Sequence, residues 1–326
     1  MRKYILVCGG SGFIGTHLIK KLVNEGHKVL SVDISNPMHQ ESINFEFIQG
    51  DLRDYSKCME IMKNGPFDEI YQLAADMGGA GYIFTGDSDA DIITNSALIN
   101  INILKCCVTF DCKKIFYSSS ACIYPQHNQL DALNPYCEES SAYPADPDSE
   151  YGWEKLFSER LYFSYQKNYG IDVKVARFHN VYGPFGAWNN GKEKAPSAIC
   201  RKVAEATNPG TIEIWGDGNQ TRTFLYIDDC LDGVQKLMDS NFHGPYNIGS
   251  EELISINNLA KMAMEISGKD LKFEHIEGPM GVRGRSSHNL KVRSDLGWQP
   301  ETYLQEGLEK TFHWINHQVQ EALQTK

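Results

Sequence analysis

Short apolar runs alternate with longer stretches in which apolar residues recur every three or four positions. The runs Tyr4–Val7, Lys28–Val32, Phe45–Gln49, Glu69–Leu73, Ile115–Tyr117 and Asp172–Arg177 have strand length and are rich in Val, Ile and Phe, so they predict strands. His17–Asn24, Ile92–Phe110 and Tyr151–Lys167 carry the helical spacing between them. Strand and helix alternating in this way predict an α/β fold, a doubly wound parallel sheet. Past Arg177 the rhythm breaks into aromatics, glycines and a proline over residues 178–186. Helices are then expected at Pro196–Ala206, Asp229–Ser240, Ile256–Ser267 and Tyr303–Leu323, the last amphipathic with Trp314 on its buried side, and a late strand at Pro245–Gly249. Residues 1–177 therefore read as a first domain, to which a segment near 219–245 returns. Residues 178–218 and 246–326 read as a smaller lobe over the sheet edge.

Between the first strand and first helix stands GGSGFIG, with Gly9, Gly12 and Gly15 three apart. Glycines there let the backbone turn tightly and approach a pyrophosphate at a helix N-terminus, so the first domain reads as a dinucleotide-binding, Rossmann-type fold. Asp33 closes the second strand at about the twenty-residue distance expected of an acid that binds the adenosine ribose diol; it would repel a 2′-phosphate and so favours NAD. Asp51 and Leu52, after the third strand, would flank the adenine. Ala74 and Ala75, after the fourth, are small enough to let a cofactor pass. The loop at residues 76–89, with four glycines, should face a substrate from the same edge. Asn95, Asn100 and Asn102 on the following helix read mostly as exposed or locally hydrogen-bonded.

The stretch Ser118–Lys155 carries the candidate chemistry. Ser120, Ala121 and Cys122 follow a strand and so sit at the ligand-binding edge. Tyr151 and Lys155 are four apart on one helical face, where the cation is expected to lower the phenol's pKa. Such a phenol can take a proton from a sugar hydroxyl, with Ser120 bonded to the same oxygen. Cys122 is either a buried small hydrophobe or a soft acid/base beside that centre. Residues 126–149 form a long loop rich in Pro, Asn, Asp and Ser. His179 reads as a packed core residue and Asn180 as a ligand contact. In GVRGR, residues 281–285, two arginines are placed to fork onto phosphate oxygens.

The chain has 326 residues, 41% hydrophobic and 22% charged, as a globular protein has. Its net charge of −11 argues against a broadly basic nucleic-acid surface, so an anionic substrate must be held by local Arg and Lys. Nine cysteines, without CxxC pairs or metal-ligand spacing, read as reduced thiols in a cytoplasmic protein with no metal site. The apolar start is too short for a signal peptide, and no run is expected to approach the ~18 apolar residues of a membrane span.

The glycine motif, YxxxK with its upstream Ser, and RFHNVYGPFG (177–186) together resemble the extended short-chain dehydrogenase/reductase family, over nearly the whole chain. The stretches AADMGGAGYI, SSACIYP, GKEKAPSAICRK, WGDGNQTR and GVRGR resemble its branch that epimerises GDP-sugars at C3 and C5. That resemblance implies NAD held by the residues above together with Phe13, Ile14, Tyr151, Lys155 and Phe178. It implies oxidation at C4 through Tyr151, Lys155 and Ser120, with Cys122 as base and Lys194 as opposing acid. It implies that Gly81, Ser120, Ala121, Cys122, Tyr151, Asn180, Glu193, Lys194, Ala195, Lys202, Gln220, Arg222 and Arg285 hold a GDP-hexose, in a homodimer paired through the helices at 92–110 and 151–167. The alternatives are an NAD-dependent sugar-nucleotide 4-dehydrogenase or 4-epimerase, with Cys122 inert, and an NADPH-using epimerase–reductase with a His as acid. Asp33 and Lys194 argue against the latter.

Overall fold

Ile5, Leu6, Val7 and Cys8 are all fully buried, which an unbroken apolar strand requires when both faces of its sheet are covered. In the computed structural model, which describes residues 1–38, 43–279 and 281–324, this strand lies inside a seven-stranded sheet. Its order is Tyr246–Ile248, Asp172–Phe178, Lys114–Ser120, Glu69–Gln72, Tyr4–Cys8, Lys28–Asp33 and Glu46–Gln49. Every pairing in it is parallel. The chain runs outward from Tyr4–Cys8 to one edge, then crosses back to build the other half from Glu69–Gln72. The reversal opens a crevice at the C-terminal ends of these two strands, where ligands bind in such sheets.

Successive residues alternate between two cores. Ile5 and Val7 join one, Leu6 and Cys8 the other, as the two-residue period of a strand demands. The helix Asp89–Thr109 is long and apolar enough to cross a membrane by length and composition, contrary to the sequence reading, but half of its apolar window is buried inside the protein. Asn100 and Asn102 on it are buried, also against expectation. Asn100 bonds Gln72, Glu154, Ser158 and Tyr162, and Asn102 caps the backbone of Leu52 and Arg53. The helix Glu150–Tyr169 packs beside it, started by Ser149, whose hydroxyl accepts from the Gly152 N–H, and stopped by left-handed Gly170.

The second lobe comprises the helices Ala195–Glu205, Ile256–Ser267 and Leu304–Gln324, packed on one another, and two small sheets. One pairs Gly210–Trp215 with Leu271–Ile276; the other sets Thr221–Thr223 between Leu253–Ser255 and Gly284–Arg285. The strand Tyr246–Ile248, expected in this lobe, instead forms an edge of the main sheet, and Thr221–Thr223 pairs inside the lobe. The chain thus crosses between lobes more often than its sequence pattern suggests.

Candidate functional site

The cofactor edge is built first by backbone. Gly12 precedes the helix Phe13–Asn24 in extended conformation with no side-chain cap, so the helix's first N–H groups face the crevice. A Cβ on Gly15 would sit 2.3 Å from the Gly9 carbonyl oxygen, and one on Gly9 2.7 Å from the Ala74 nitrogen. The loop therefore closes against the fourth strand only with glycine at both places. Asp33 accepts from the Ser11 N–H at 3.0 Å and the Ser35 N–H at 3.0 Å, which places its carboxylate beside the glycine loop. Asp51 is held by Arg53, and Leu52 is buried under it. Phe13 and Ile14 are half-buried on the first turn, and Ala75 follows Ala74 along the crevice. A bare helix N-terminus, a loop with no room for a Cβ and an acid at the second strand's end fit a dinucleotide.

Next to this edge lies a cavity of about 390 Å³. Every residue expected to hold substrate lines it: Gly81, Ser120, Ala121, Cys122, Tyr151, Asn180, Glu193, Lys194, Ala195, Lys202, Gln220, Arg222 and Arg285; Phe178, expected to hold the cofactor, lines it too. Ser120 ends its strand and accepts from the Cys122 N–H at 3.2 Å, which opens a single 3-10 turn and aims Cys122 inward. Gly152 lets the helix Glu150–Tyr169 abut this turn, since a Cβ there would lie 2.2 Å from the Cys122 carbonyl oxygen. Of nine cysteines, eight are buried and Cys122 is half-buried at the cavity wall.

Tyr151 hydrogen-bonds Ser120, yet burial pushes its phenol well up, not down. The expected lowering by Lys155 is absent because that ammonium is turned aside. It donates to the Ser118 carbonyl at 2.8 Å and sits 5.7 Å from the Tyr151 ring centre. Burial pushes Lys155 itself down, with Glu154 opposing. Lys194, half-buried at the N-cap of Ala195–Glu205, is also pushed down by burial, and Cys122 is the main group opposing that shift.

Five cations line the cavity: Lys194, Arg201, Lys202, Arg222 and Arg285. Lys202 donates to the Glu213 carbonyl at 2.8 Å and lies 5.7 Å over the Trp215 ring; burial lowers its pKa. Arg222 spans the Thr221 and Val282 carbonyls, and burial with Arg285 nearby brings it down to about 10. Gln220 is buried with its Oε1 unpartnered. Asn180, at φ +45°, donates to the Thr223 carbonyl at 2.9 Å. In an acidic protein such a cationic enclosure is what an anionic ligand needs.

The two loop arginines part company. Arg283 is on the surface, paired to Asp217 at 3.1 Å, and does not line the cavity. Arg285 is buried, donating to Cys122 Sγ at 3.1 Å, to Asp148 at 2.9 Å and to Gln129. A sulfur accepts such a charge-assisted bond best as thiolate. Asp148 and Gln129 were not singled out from the sequence; both sit in the long loop 126–149, where no periodicity marks a partner. Trp215, which opens the motif WGDGNQTR, was not singled out either. His179 is fully buried, its Nε2 against Asn247 Oδ1 at 2.9 Å, and burial brings it down to about 3.

The model of the NAD dependent epimerase/dehydratase family matches residues 5–249. A GDP-mannose 3,5-epimerase of Arabidopsis thaliana is 43% identical over 318 residues, 97% of this chain and 83% of that protein. Among solved structures, UDP-glucuronic acid 4-epimerase from Bacillus cereus, in complex with UDP-glucuronic acid and NAD, is 26% identical with TM-score 0.82, covering 97% of this chain and 99% of the other. UDP-glucose 4-epimerase from Thermotoga maritima is 24% identical with TM-score 0.85, covering 97% and 99%, and shares the fold.

Proposed function

Because the chain belongs to the NAD dependent epimerase/dehydratase family, we propose that it epimerises a GDP-hexose at C3 and C5, taking GDP-mannose to GDP-L-galactose. The observation that carries this reading is Cys122, the half-buried cysteine among eight buried ones, lining one cavity with Tyr151 and Lys194. A 4-epimerase needs neither a thiol nor a second ammonium there.

Gly12, Phe13 and the helix N–H groups would cradle the dinucleotide's pyrophosphate, and Asp33 would accept from its ribose hydroxyls. Bound there, NAD supplies a reversible hydride acceptor for C4, which places the C3 and C5 hydrogens alpha to a carbonyl. Tyr151 takes the C4 hydroxyl proton and later returns it. Ser120 shares that oxygen, and Lys155 behind them supports the charge. Cys122, as thiolate, breaks the C–H bond on one face of the ring. Lys194, as ammonium, forms the new C–H bond on the other. The pair ends as thiol and amine, and exchange with water restores both. Burial suits Lys194 to this task, because an ammonium whose pKa is lowered gives up its proton more readily. Lys202 and Arg222 hold the diphosphate by charge-assisted bonds. Two copies pair through the helices Asp89–Thr109 and Glu150–Tyr169, whose Leu98, Val108, Trp153 and Phe157 are exposed.

Incubation with GDP-mannose in D2O, followed by NMR, tests the reading. Deuterium enters C3 and C5 with inversion, and Cys122→Ala lowers both by about 10³-fold. Inversion at C4 with no label at C3 or C5 makes the enzyme a 4-epimerase and returns Cys122 to the wall.

A further inference from the structure

The acid assigned above is carried on a loop, and that loop is tied down from across the cavity. Residues 76–83 leave the fourth strand, cross the mouth and end in a single helical turn, Ala80–Ile83. Asp76 is anchored to the long helix, accepting from Asn95 at 2.9 Å, while its own N–H donates to Ser96 at 3.1 Å. Its other carboxylate oxygen accepts from the Tyr82 hydroxyl at 2.9 Å. Into this corner comes Lys192 from the opposite lobe. Its ammonium lies 3.5 Å from Asp76 and 3.9 Å over the Tyr82 ring. The backbones meet as well: the Gly79 N–H donates to the Lys192 carbonyl at 2.9 Å. They meet so closely that a Cβ on Gly79 would lie 2.0 Å from the Glu193 carbonyl oxygen.

Lys194 is two residues beyond Lys192 and caps the next helix, with the Ala198 N–H donating to its carbonyl at 2.9 Å. The short segment bearing the acid is therefore fixed at both ends, by its helix and by this corner. From this geometry we infer that Asp76, Tyr82 and Lys192 form a clamp across the cavity mouth that positions Lys194 over the sugar for proton return. The inference rests on the epimerase reading. Lys192 is a positioning residue: its ammonium is spent on Asp76 and Tyr82, and it does not line the cavity. Each tether is weak singly, being partly exposed, but they converge on one side chain. A displacement of about 1 Å at a proton donor is enough to cost about 10²-fold in rate.

The clamp acts on one face of the sugar, so its loss must be one-sided. In D2O, Cys122 removes a proton and can return deuterium to the same face, which labels GDP-mannose without inverting it. Return from Lys194 labels the inverted product. With Lys192→Met, the ratio of labelled product to labelled GDP-mannose falls at least tenfold, total label entry changes less than threefold, and thermal unfolding is unmoved. Lys192→Arg, which keeps the ion pair and the cation–π contact, restores the ratio. Tyr82→Phe, which keeps the ring and loses the hydroxyl, lowers it by a smaller factor. An unchanged ratio in Lys192→Met, or an equal fall of both signals, overturns the clamp while leaving the epimerase reading standing. Absence of label with the unaltered enzyme overturns the parent reading, and the clamp with it.

Discussion

The two walls of the cavity are held by opposite means. The inner wall, from Ser118 to Asn180, stands on strand ends and the start of a long helix, and buried groups fix it. Arg177 forks onto Glu159 at 2.9 and 2.8 Å, and also reaches the Tyr124 hydroxyl and the Glu139 carbonyl. Glu159 in turn accepts from Ser119, one residue before Ser120 of the cavity wall. The outer wall, residues 76–84 and 189–194 with residues 281–283 beside Phe84, is mostly loop apart from the turn Ala80–Ile83, and its ties at Asp76–Lys192 and Asp217–Arg283 are partly exposed. On the proposed reading Tyr151, Ser120 and Cys122 stand on the rigid wall, and Lys194 alone of the reacting groups stands on the softer one, which is why it would need the clamp through Lys192. The groups that must let a bulky nucleotide enter and leave sit on the softer one.

The sharpest way to break this contrast is to cut the inner wall's ion pair. Arg177→Met leaves Glu159 buried and unpaired, and should lower unfolding free energy by about 3–5 kcal/mol in urea titration. A loss below about 1 kcal/mol would make the inner wall no firmer than the outer. Acid attacks the same wall more gently. His179 stays neutral in the folded protein, with a pKa brought down to about 3 by burial, whereas the unfolded chain protonates it near the ordinary 6.5. The unfolded state therefore binds more protons below pH 6.5. Its contribution to stability is complete above that pH and drains away as pH falls toward 3, reaching a loss of about 2 kcal/mol at pH 5. Thermal unfolding from pH 8 to 5 should show this slope, and His179→Gln should flatten it. On the outer wall, Arg283→Ala removes an exposed pair with Asp217 and should move the thermal midpoint by no more than the equivalent of about 0.5 kcal/mol.

Much of the inner wall could be read from sequence because its signals are local. An apolar run, a glycine triplet and a Tyr four residues before a Lys each announce themselves within a few positions. What escaped was whatever depends on distant partners. Asn100 and Asn102 sit in a helical pattern that also suits exposed residues, and they are buried because Gln72, Glu154, Leu52 and Arg53 arrive from elsewhere. The phenol of Tyr151 is raised because it is buried, and Lys155, whose ammonium donates to the Ser118 carbonyl, does not offset that burial; helical spacing alone reveals neither. Lys192 stands in a hydrophilic run that reads as solvated loop, and the glycine-rich segment it grips lies more than a hundred residues earlier. The long loop 126–149 was visible as a loop, but nothing in it marked Asp148 and Gln129 as the seats of Arg285.

The strand Tyr246–Ile248 has a consequence for how the molecule can be taken apart. It pairs with Asp172–Phe178 only after the chain has built part of the other lobe and come back. Core residues of the sheet, such as Val7 and Ala176, belong to one apolar cluster with Ile199, Ile212 and Leu259 of that lobe. A truncation after residue 178 would leave Asp172–Phe178 as a bare apolar edge, open to pairing with other chains. The lobes are interwoven through this strand and one apolar cluster, not strung in series, so their unfolding in denaturant should be coupled.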